Sequence, residues 1–307
     1  MVHFALTSEY INSLSYAVLL RNAIDIYLKK LNALIKDLGT KSKSWASIPV
    51  LARTHGQAAS PSSLGKEIKV FHHRLSRQKN ILKKMKPLAK FGGATGNFHT
   101  LDLADSGIDW LSKTKKFLSL FKVDQNPMTT QIEPYDGIAE ISHCIQRINN
   151  ILIDLNQDMW IYISNDIFKL KLKDGEIGSS TMPHKVNPID FENSEGNLGL
   201  SSSLMSFFAE KLTKSRLQRY LSDSTVVSNL CVGFGYSYLG IISCLNALSK
   251  IQPNKETAKT ELADNWQVLA EALQIVMKLE GYYNAYEEIK AKTRGQSIDK
   301  NSYLSIV

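Results

Sequence analysis

One short segment combines a hydroxyl group, a cation and a helix start, which together could perform acid–base chemistry on an anion. It runs from Gly178 to Pro188 and reads GSSTMPHKVNP. Glycine permits backbone angles closed to other residues, so Ser179 can lie on a mobile loop. Asn187 and Pro188 are typical of an N-cap and a first helical position, where the helix dipole attracts anions. With the ammonium of Lys185 in the same loop, the segment predicts an anion-binding loop that carries a possible nucleophile or base.

The loop resembles the signature loop of the fumarase/aspartase superfamily, whose members eliminate fumarate from substituted succinates. The residues that follow it, IDFENSEGN at 189–197, resemble the bacterial adenylosuccinate lyases within that superfamily. Further segments match the same family in order along the chain: TSE at 7–9, ARTHGQ at 52–57, TTQIEP at 129–134 and SDST at 222–225. Several ordered matches make coincidence a poor explanation.

Elimination of fumarate requires a base for the proton on the carbon beside a carboxylate, and an acid for the departing nitrogen. A preorganised cation must stabilise the carbanion between these steps. The resemblance implies that Ser179 is the base, that Lys185 and the loop amides hold the intermediate, and that His55 is the acid. It also implies that Glu192 orients His55 and raises the basicity of its other ring nitrogen. Taken alone, a loop serine more often bonds locally, and an isolated histidine is usually structural.

The resemblance also assigns substrate-binding positions. They are Thr7, Ser8, Thr54, Gln131, Asn187, Arg219 and Ser224. Arg219 and Ser224 resemble positions that grip the nucleotide end, and arginine suits a phosphate because its planar fork binds bidentately. A helix cap or a surface polar group is the alternative for each of these residues. The chemistry requires no cofactor, and the sequence shows no cluster of metal ligands.

Three positions depart from the family pattern. Tyr10 and Tyr220 stand where aspartate is common, and Ser228 stands where an arginine is expected to contact the nucleotide. The chain also begins at a motif that lies well inside relatives, so we expect an N-terminal domain and the usual C-terminal end to be absent. Two alternatives therefore stay open: another superfamily lyase, such as one acting on argininosuccinate, or a non-catalytic helical scaffold or remnant.

Composition limits the class of protein. The chain has 307 residues and a formal net charge of +8. A basic surface attracts polyanions, but the lysines are dispersed on predicted polar helix faces without interleaved aromatics, so we expect solvated faces and no nucleic-acid partner; one such group is Lys79, Lys83, Lys84, Lys86 and Lys90. No run of about 18 apolar residues and no signal peptide is evident, so we expect a cytoplasmic protein without membrane contact. We expect three reduced, buried thiols at Cys144, Cys231 and Cys244.

Apolar residues recur at steps of three and four, as on one face of a helix. The clearest helix is predicted over 137–162, where the seam is Ile138, Ile141, Ile145, Ile148, Leu152, Leu155, Met159 and Tyr162. Similar spacing predicts helices over 24–38, ending at Gly39, and over 64–85. Further helices are predicted over about 188–212, 226–248 and 254–279, with Gly281 as terminator. No alternating strands separated by Asn-Gly-type turns are evident.

These patterns predict an all-α fold, a bundle of long helices. We expect a central bundle domain over 1–250 that carries the motifs, and part of a C-terminal helical domain over 251–307. The apolar faces of helices this long are too extensive for one small chain to bury, which predicts self-association. The resemblance implies a homotetramer with one shared central bundle, in which each active site draws on three subunits.

Overall fold

Helices make up most of the chain. The computed structural model describes residues 3–171, 181–296 and 298–305. The helices span Ser8–Ser44 (α1), Leu64–Leu82 (α2), His99–Ala104 (α3), Trp110–Ser119 (α4), Asp136–Ser164 (α5), Ile189–Leu212 (α6), Ser222–Val227 (α7), Leu230–Lys250 (α8), Lys255–Ala263 (α9), Ala270–Leu279 (α10), Ala285–Thr293 (α11) and Lys300–Leu304 (α12). Six short strands pair two by two: Pro49–Thr54 (β1) with Gln57–Ser63 (β2), Leu88–Ala89 (β3) with Asp124–Gln125 (β4), and Phe168–Leu170 (β5) with Ile251–Pro253 (β6).

The chain divides into two compact units. Unit 1 comprises residues 1–35, 74–157 and 189–247, and unit 2 comprises 36–73, 158–188 and 248–307. The predicted C-terminal segment 251–307 therefore lies within a unit that also contains two earlier parts of the chain. A separate domain boundary at residue 250 stays a prediction.

The core of unit 1 follows the predicted seam of α5. Ile141 is 1% exposed, and Ile145, Ile148, Leu152 and Leu155 are fully buried. Since this helix runs over Asp136–Ser164, the predicted helix at 137–162 is confirmed. The predicted helix at 188–212 is confirmed as α6, which starts one residue after Pro188.

A chain of buried hydrogen bonds ties four helices of unit 1 together. Tyr27 on α1 donates to Ser237 on α8 at 2.9 Å, and Ser237 donates to Asn149 on α5 at 2.5 Å. The amide of Asn149 donates to Ser201 on α6 at 2.9 Å, and Ser201 donates to the carbonyl of Gly233 at 2.8 Å. Buried polar groups are costly unless paired, so this network favours one register among the four helices.

The prediction that a helix ends at Gly39 is wrong. Helix α1 continues to Ser44, and Gly39 serves close packing instead. A Cβ atom at Gly39 would lie 3.1 Å from Cδ2 of His72. The glycine at position 39 is thus explained by the close approach of His72 and not by the end of a helix.

Two other predicted helices are interrupted. The one at 226–248 divides into α7 and α8, with a break at 228–229. The one at 254–279 divides into α9, a short 3-10 helix at Trp266–Leu269 and α10. At this second break the side chain of Asn265 donates to the carbonyl of Glu261 at 2.7 Å, and such local bonds compete with the helical ladder. The chain leaves α10 through Gly281 at φ 92°, as predicted.

One stretch is apolar enough to span a membrane by length and composition. It runs over Ser222–Lys250 with a mean hydropathy of 1.4 in its best window. The core helix of a bundle passes the same test, and 44% of this window is buried inside the protein. Its hydroxyl at Ser237 belongs to the interhelical network, which fits the core-helix interpretation.

Candidate active site

His55 lies at the tip of a β-hairpin that the sequence analysis did not predict. Strands β1 and β2 pair antiparallel, with Thr54 opposite Gln57, so His55 and Gly56 form a two-residue turn. Both turn residues have positive φ, 52° and 73°, as the tight turns of hairpins require. The hairpin holds the imidazole of His55 in an exposed position in unit 2, next to the equally exposed Thr54.

Unit 2 also carries part of the signature loop. Ser179 lies outside the described residues. Lys185 is exposed, its backbone amide donates to the carbonyl of Met182 at 3.1 Å, and Asn187 is half-buried just before α6. Within the described part of unit 2, no hydrogen bond or ion pair joins Lys185 to His55.

Glu192 lies in the first turn of α6, in unit 1. Asp190 is in the same turn, so two carboxylates stand at the positive end of the helix dipole. The side chain of Glu192 is exposed. Its pairing with His55 stays a prediction, since His55 belongs to the other unit.

In unit 1 the start of α1 meets the segment that carries Arg219. Thr7 precedes the helix, and its hydroxyl accepts a long hydrogen bond of 3.4 Å from the amide of Glu9. Glu9 is 1% exposed, and its Oε2 lies 3.3 Å from Nη1 of Arg219. Burial raises the pKa of Glu9, although the guanidinium of Arg219 acts in the opposite direction. A helix start with an arginine beside it forms a setting suited to an anion.

Gln131 is brought to the same region through the backbone. Its amide donates to the carbonyl of Gln218, the residue before Arg219, at 3.2 Å. Its own carbonyl accepts from Nζ of Lys90 at 2.6 Å. Three segments far apart in sequence and predicted to bind substrate, at Thr7, Gln131 and Arg219, therefore meet in unit 1.

Lys90 corrects an expectation from the sequence. It was counted among lysines on solvated helix faces, but it is fully buried. Its ammonium donates to the carbonyls of Gly93 at 2.7 Å, Thr130 at 2.9 Å and Gln131 at 2.6 Å. These bonds use all three donors of the ammonium. They tie the glycine-rich segment 91–97 to the loop that carries Gln131. Burial lowers the pKa of Lys90 from 10.5 to about 8, while the carboxylate of Glu9 raises it.

A second pair of buried groups anchors the helix of Ser224. The hydroxyl of Tyr135 donates to Oδ2 of Asp223 on α7 at 3.3 Å. Burial, with the carboxylates of Glu9 and Asp223, raises the pKa of Tyr135, so its hydroxyl stays protonated. Ser224 itself is exposed on the same helix, and its hydroxyl donates to the carbonyl of Leu221 at 2.8 Å.

The three departures from the family pattern have different surroundings. Tyr10 is 3% exposed and stacks on Phe91, with ring centroids 4.2 Å apart. Two cations lie near the ring of Tyr220: the guanidinium carbon of Arg216 is 4.2 Å and the ammonium of Lys211 is 5.3 Å from its centroid. Ser228 is exposed and donates to the carbonyl of Thr225 at 3.0 Å.

Comparison with known proteins gives two family matches that together cover most of the chain. A family described as "Lyase" matches residues 1–200, and one described as "Adenylosuccinate lyase C-terminal" matches residues 215–307. The adenylosuccinate lyase of Legionella pneumophila (strain Corby) is 48% identical over 307 residues, which are 100% of this chain and 67% of that protein. The chain belongs to the adenylosuccinate lyase family. The enzyme of the same name from Escherichia coli (strain K12) is 47% identical over 302 residues, 97% of this chain and 66% of that enzyme.

Solved structures with a similar fold support the predicted architecture. A fumarate lyase from Mesorhizobium sp. BNC1 superposes with a TM-score of 0.79 at 16% identity, covering 95% of this chain and 66% of that one. A 3-carboxy-cis,cis-muconate lactonizing enzyme from Pseudomonas putida gives 0.77 at 19% identity, with coverages of 95% and 65%. At these identities the likeness concerns the fold alone, and it confirms the predicted all-α bundle of long helices. The chain spans about two thirds of the length of these relatives.

Sequence reasoning missed the buried residues that support the site. Glu9, Lys90, Tyr135 and Asp223 carry no periodic signal, and Lys90 was grouped with surface lysines because of its neighbours in sequence. Lys90 lies directly before the glycine-rich segment 91–97 and outside the predicted helix 64–85. That position was the one sequence signal that distinguished it from the lysines of the helix face. The prediction of a buried thiol is confirmed for Cys144 and Cys244 and wrong for Cys231, which is exposed. Among the described residues, no group of three His, Cys, Asp or Glu side chains could hold a metal ion.

Proposed function

We propose that this chain eliminates fumarate from adenylosuccinate, leaving AMP, and from the succinylated imidazole-carboxamide ribotide, leaving its free amide. The observation that carries the proposal is the meeting of Thr7, Gln131 and Arg219 in unit 1, stabilised by buried charged groups. Family membership supports it, because relatives at 47% and 48% identity bear the name of that activity. Both steps belong to purine synthesis.

In the proposed reaction, Ser179 removes a proton from the carbon beside a carboxylate of the succinyl group. The resulting negative charge spreads into that carboxylate, where Lys185, loop amides and the side chain of Asn187 stabilise it. The C–N bond then breaks, a carbon–carbon double bond forms, and the nitrogen keeps the electron pair and takes a proton from His55. Glu192 orients His55. An imidazole suits this task because its pKa lies close to neutrality.

The substrate's other parts are proposed to bind in unit 1. Thr7 and Ser8 donate to a carboxylate or phosphate at the start of α1, and Gln131 contacts the succinyl portion. Arg219 and Ser224 hold the nucleotide end. In unit 2, Thr54 supports the substrate beside His55. A net charge of +8 favours the approach of a substrate that carries several negative charges.

We also propose a cytoplasmic homotetramer. Apolar side chains spaced by seven or eight residues are exposed on unit 1 helices: Ile11, Leu19 and Ile26 on α1, Leu200 and Phe207 on α6, and Val232 and Leu239 on α8. Exposed apolar stripes at this spacing are typical of helices that pack against a partner. Light scattering after size exclusion should give four times the mass of the chain, and a monomer mass would contradict the proposal.

The function is tested by fumarate release from each of the two ribotides, with argininosuccinate as a third substrate. We expect turnover of the ribotides only. Ser179→Ala and His55→Ala should abolish it, whereas the matched controls Ser180→Ala and His184→Gln should retain it. Turnover of argininosuccinate would favour the other lyase, and a folded tetramer without turnover would favour the scaffold alternative.

A further inference from the structure

Glu9 and Arg219 form an ion pair of unequal exposure. The side chain of Glu9 is 2% exposed, whereas that of Arg219 is 24% exposed, and a single pair of atoms, Oε2 and Nη1, joins them at 3.3 Å. Glu9 thus contacts one terminal nitrogen of the guanidinium from inside unit 1. A planar guanidinium has five donors in a fixed fork, so a contact at one nitrogen restrains the direction of the remaining donors.

Arg219 needs such support because its own segment is irregular. Residues 213–221 connect α6 to α7 without regular secondary structure, and Leu217 has a positive φ of 48°. The backbone bond from Gln131 to Gln218 holds the main chain beside Arg219, but it does not restrain the long side chain. An arginine side chain has many rotamers, and a free one would lose that freedom on binding an anion.

We propose that Glu9 is a positioning residue, which presents Arg219 in a fixed direction to the phosphate of the substrate. The proposal rests on the proposed function for the identity of the anion. Glu9 acts through Arg219 and touches no substrate atom. Its removal should therefore weaken binding of the nucleotide end and leave the elimination step at the succinyl end almost unchanged.

The charges around Glu9 make this role dependent on pH. The groups that face it are Arg219, Asp223 on α7, Lys90, the hydroxyl of Tyr135 and the buried carboxylate of Glu133. Burial raises the pKa of Glu9, so its carboxylate takes up a proton at a higher pH than an exposed one would. The protonated form has lost the charge that holds the guanidinium. Lowering the pH should weaken substrate binding in the natural protein and have a smaller effect in Glu9→Gln.

The test is a double-mutant cycle between Glu9 and Arg219 in the full chain, with KM and kcat measured for adenylosuccinate. We expect Glu9→Gln to raise KM about tenfold or more, as for a lost charged hydrogen bond, and to change kcat less than twofold. Arg219→Met should raise KM at least as much, and Glu9→Gln should add nothing in that background. Additive effects on KM, or a fall in kcat alone, would overturn the proposal.

Two controls separate this inference from the proposed function and from misfolding. Asp154→Asn removes another carboxylate–arginine pair of unit 1, with Arg74, and should leave KM unchanged. AMP binding is measured by calorimetry on the same proteins. If the natural chain binds AMP without turnover and Glu9→Gln weakens that binding, the proposed function fails and the positioning role stands. If Glu9→Gln does not fold, Glu9→Asp replaces it, and unchanged KM and AMP affinity in a folded Glu9 variant overturn the role.

Discussion

Lys90 offers the sharpest physical prediction, because a fully buried ammonium should give this protein an unusual response to alkaline pH. In Lys90→Met the charge and three hydrogen bonds to carbonyls disappear, while the length of the side chain is kept. Leaving buried carbonyls unpaired costs about 1–3 kcal/mol for each. Removing a charge that burial destabilises offsets part of that cost, so the net loss at neutral pH is about 2–4 kcal/mol.

The dependence on pH has a definite sign. The pKa of Lys90 is 10.5 unperturbed and about 8 in the folded chain. Between these values the unfolded chain binds more protons than the folded one, so the free energy of unfolding rises with pH. The full gap corresponds to about 3 kcal/mol, of which about 2 kcal/mol is gained between about pH 7 and about pH 9.5. Below about pH 7 this group contributes almost no slope.

The assay is denaturant unfolding followed by circular dichroism across that pH range, at one fixed protein concentration because self-association shifts apparent stability. The natural chain should gain about 2 kcal/mol relative to Lys90→Met between the two ends of the range. Tyr27, Tyr135 and Tyr162 have pKa values raised by burial, which lowers stability above about pH 10 in both proteins and cancels in the comparison. Parallel pH profiles for the two proteins would refute the reasoning.

Three further substitutions test the fold. Gly96→Ala should destabilise the chain by more than about 3 kcal/mol, since its Cβ would lie 1.8 Å from the carbonyl oxygen of Thr129 and φ is 82°; a near-normal unfolding midpoint would contradict this geometry. Gly56 has a φ of 73° and open space where a Cβ would lie, so Gly56→Ala should lower the free energy of unfolding by only about 1–2 kcal/mol, through backbone strain. A larger loss of stability in thermal unfolding would show an unrecognised contact. Tyr27→Phe removes the bond to Ser237 and should cost about 1 kcal/mol by denaturant titration, with no change expected in the m-value.

The three-and-four spacing of apolar residues predicted those helices in which one face is buried along the whole length. From Ile138 to Leu155 the predicted seam of α5 is buried in the structure, because every third or fourth side chain enters the core of unit 1. Prediction failed where a single residue had two physical explanations. A glycine can end a helix or admit a neighbouring ring, and the ring of His72 decides in favour of the second at Gly39.

The hairpin of His55 shows a different limit. Its two strands carry few alternating apolar residues, and β2 contains a proline, so the strand signal is weak. The His55-Gly56 pair is a turn signal only when both flanking segments are already taken as strands, because one glycine at positive φ suits several turn types. Family resemblance drew attention to His55 without predicting the element that carries it.

The buried supports of the site could not be derived from spacing at all. Glu9 and Arg219 are 210 residues apart, and their pairing depends on the packing of α1 beside the segment before α7. A carboxylate in a polar motif at a helix start is usually solvated, and only burial at 1% exposure distinguishes Glu9 from that common case.

The departures from the family pattern make this support more important. Tyr10 stands where an aspartate is common, so the position beside Lys90 holds an aromatic ring 5.7 Å from its ammonium in place of a carboxylate. The family resemblance implies an arginine where Ser228 stands, and the hydroxyl of Ser228 donates to the carbonyl of Thr225. Under the proposed function, fewer cations are then available for the nucleotide end, and a phosphate bound there would depend more strongly on Arg219. A guanidinium held in one direction binds an anion more tightly than a mobile one. Without an arginine at position 228, the contact of Glu9 with Arg219 should therefore have a larger effect on the proposed binding of the phosphate.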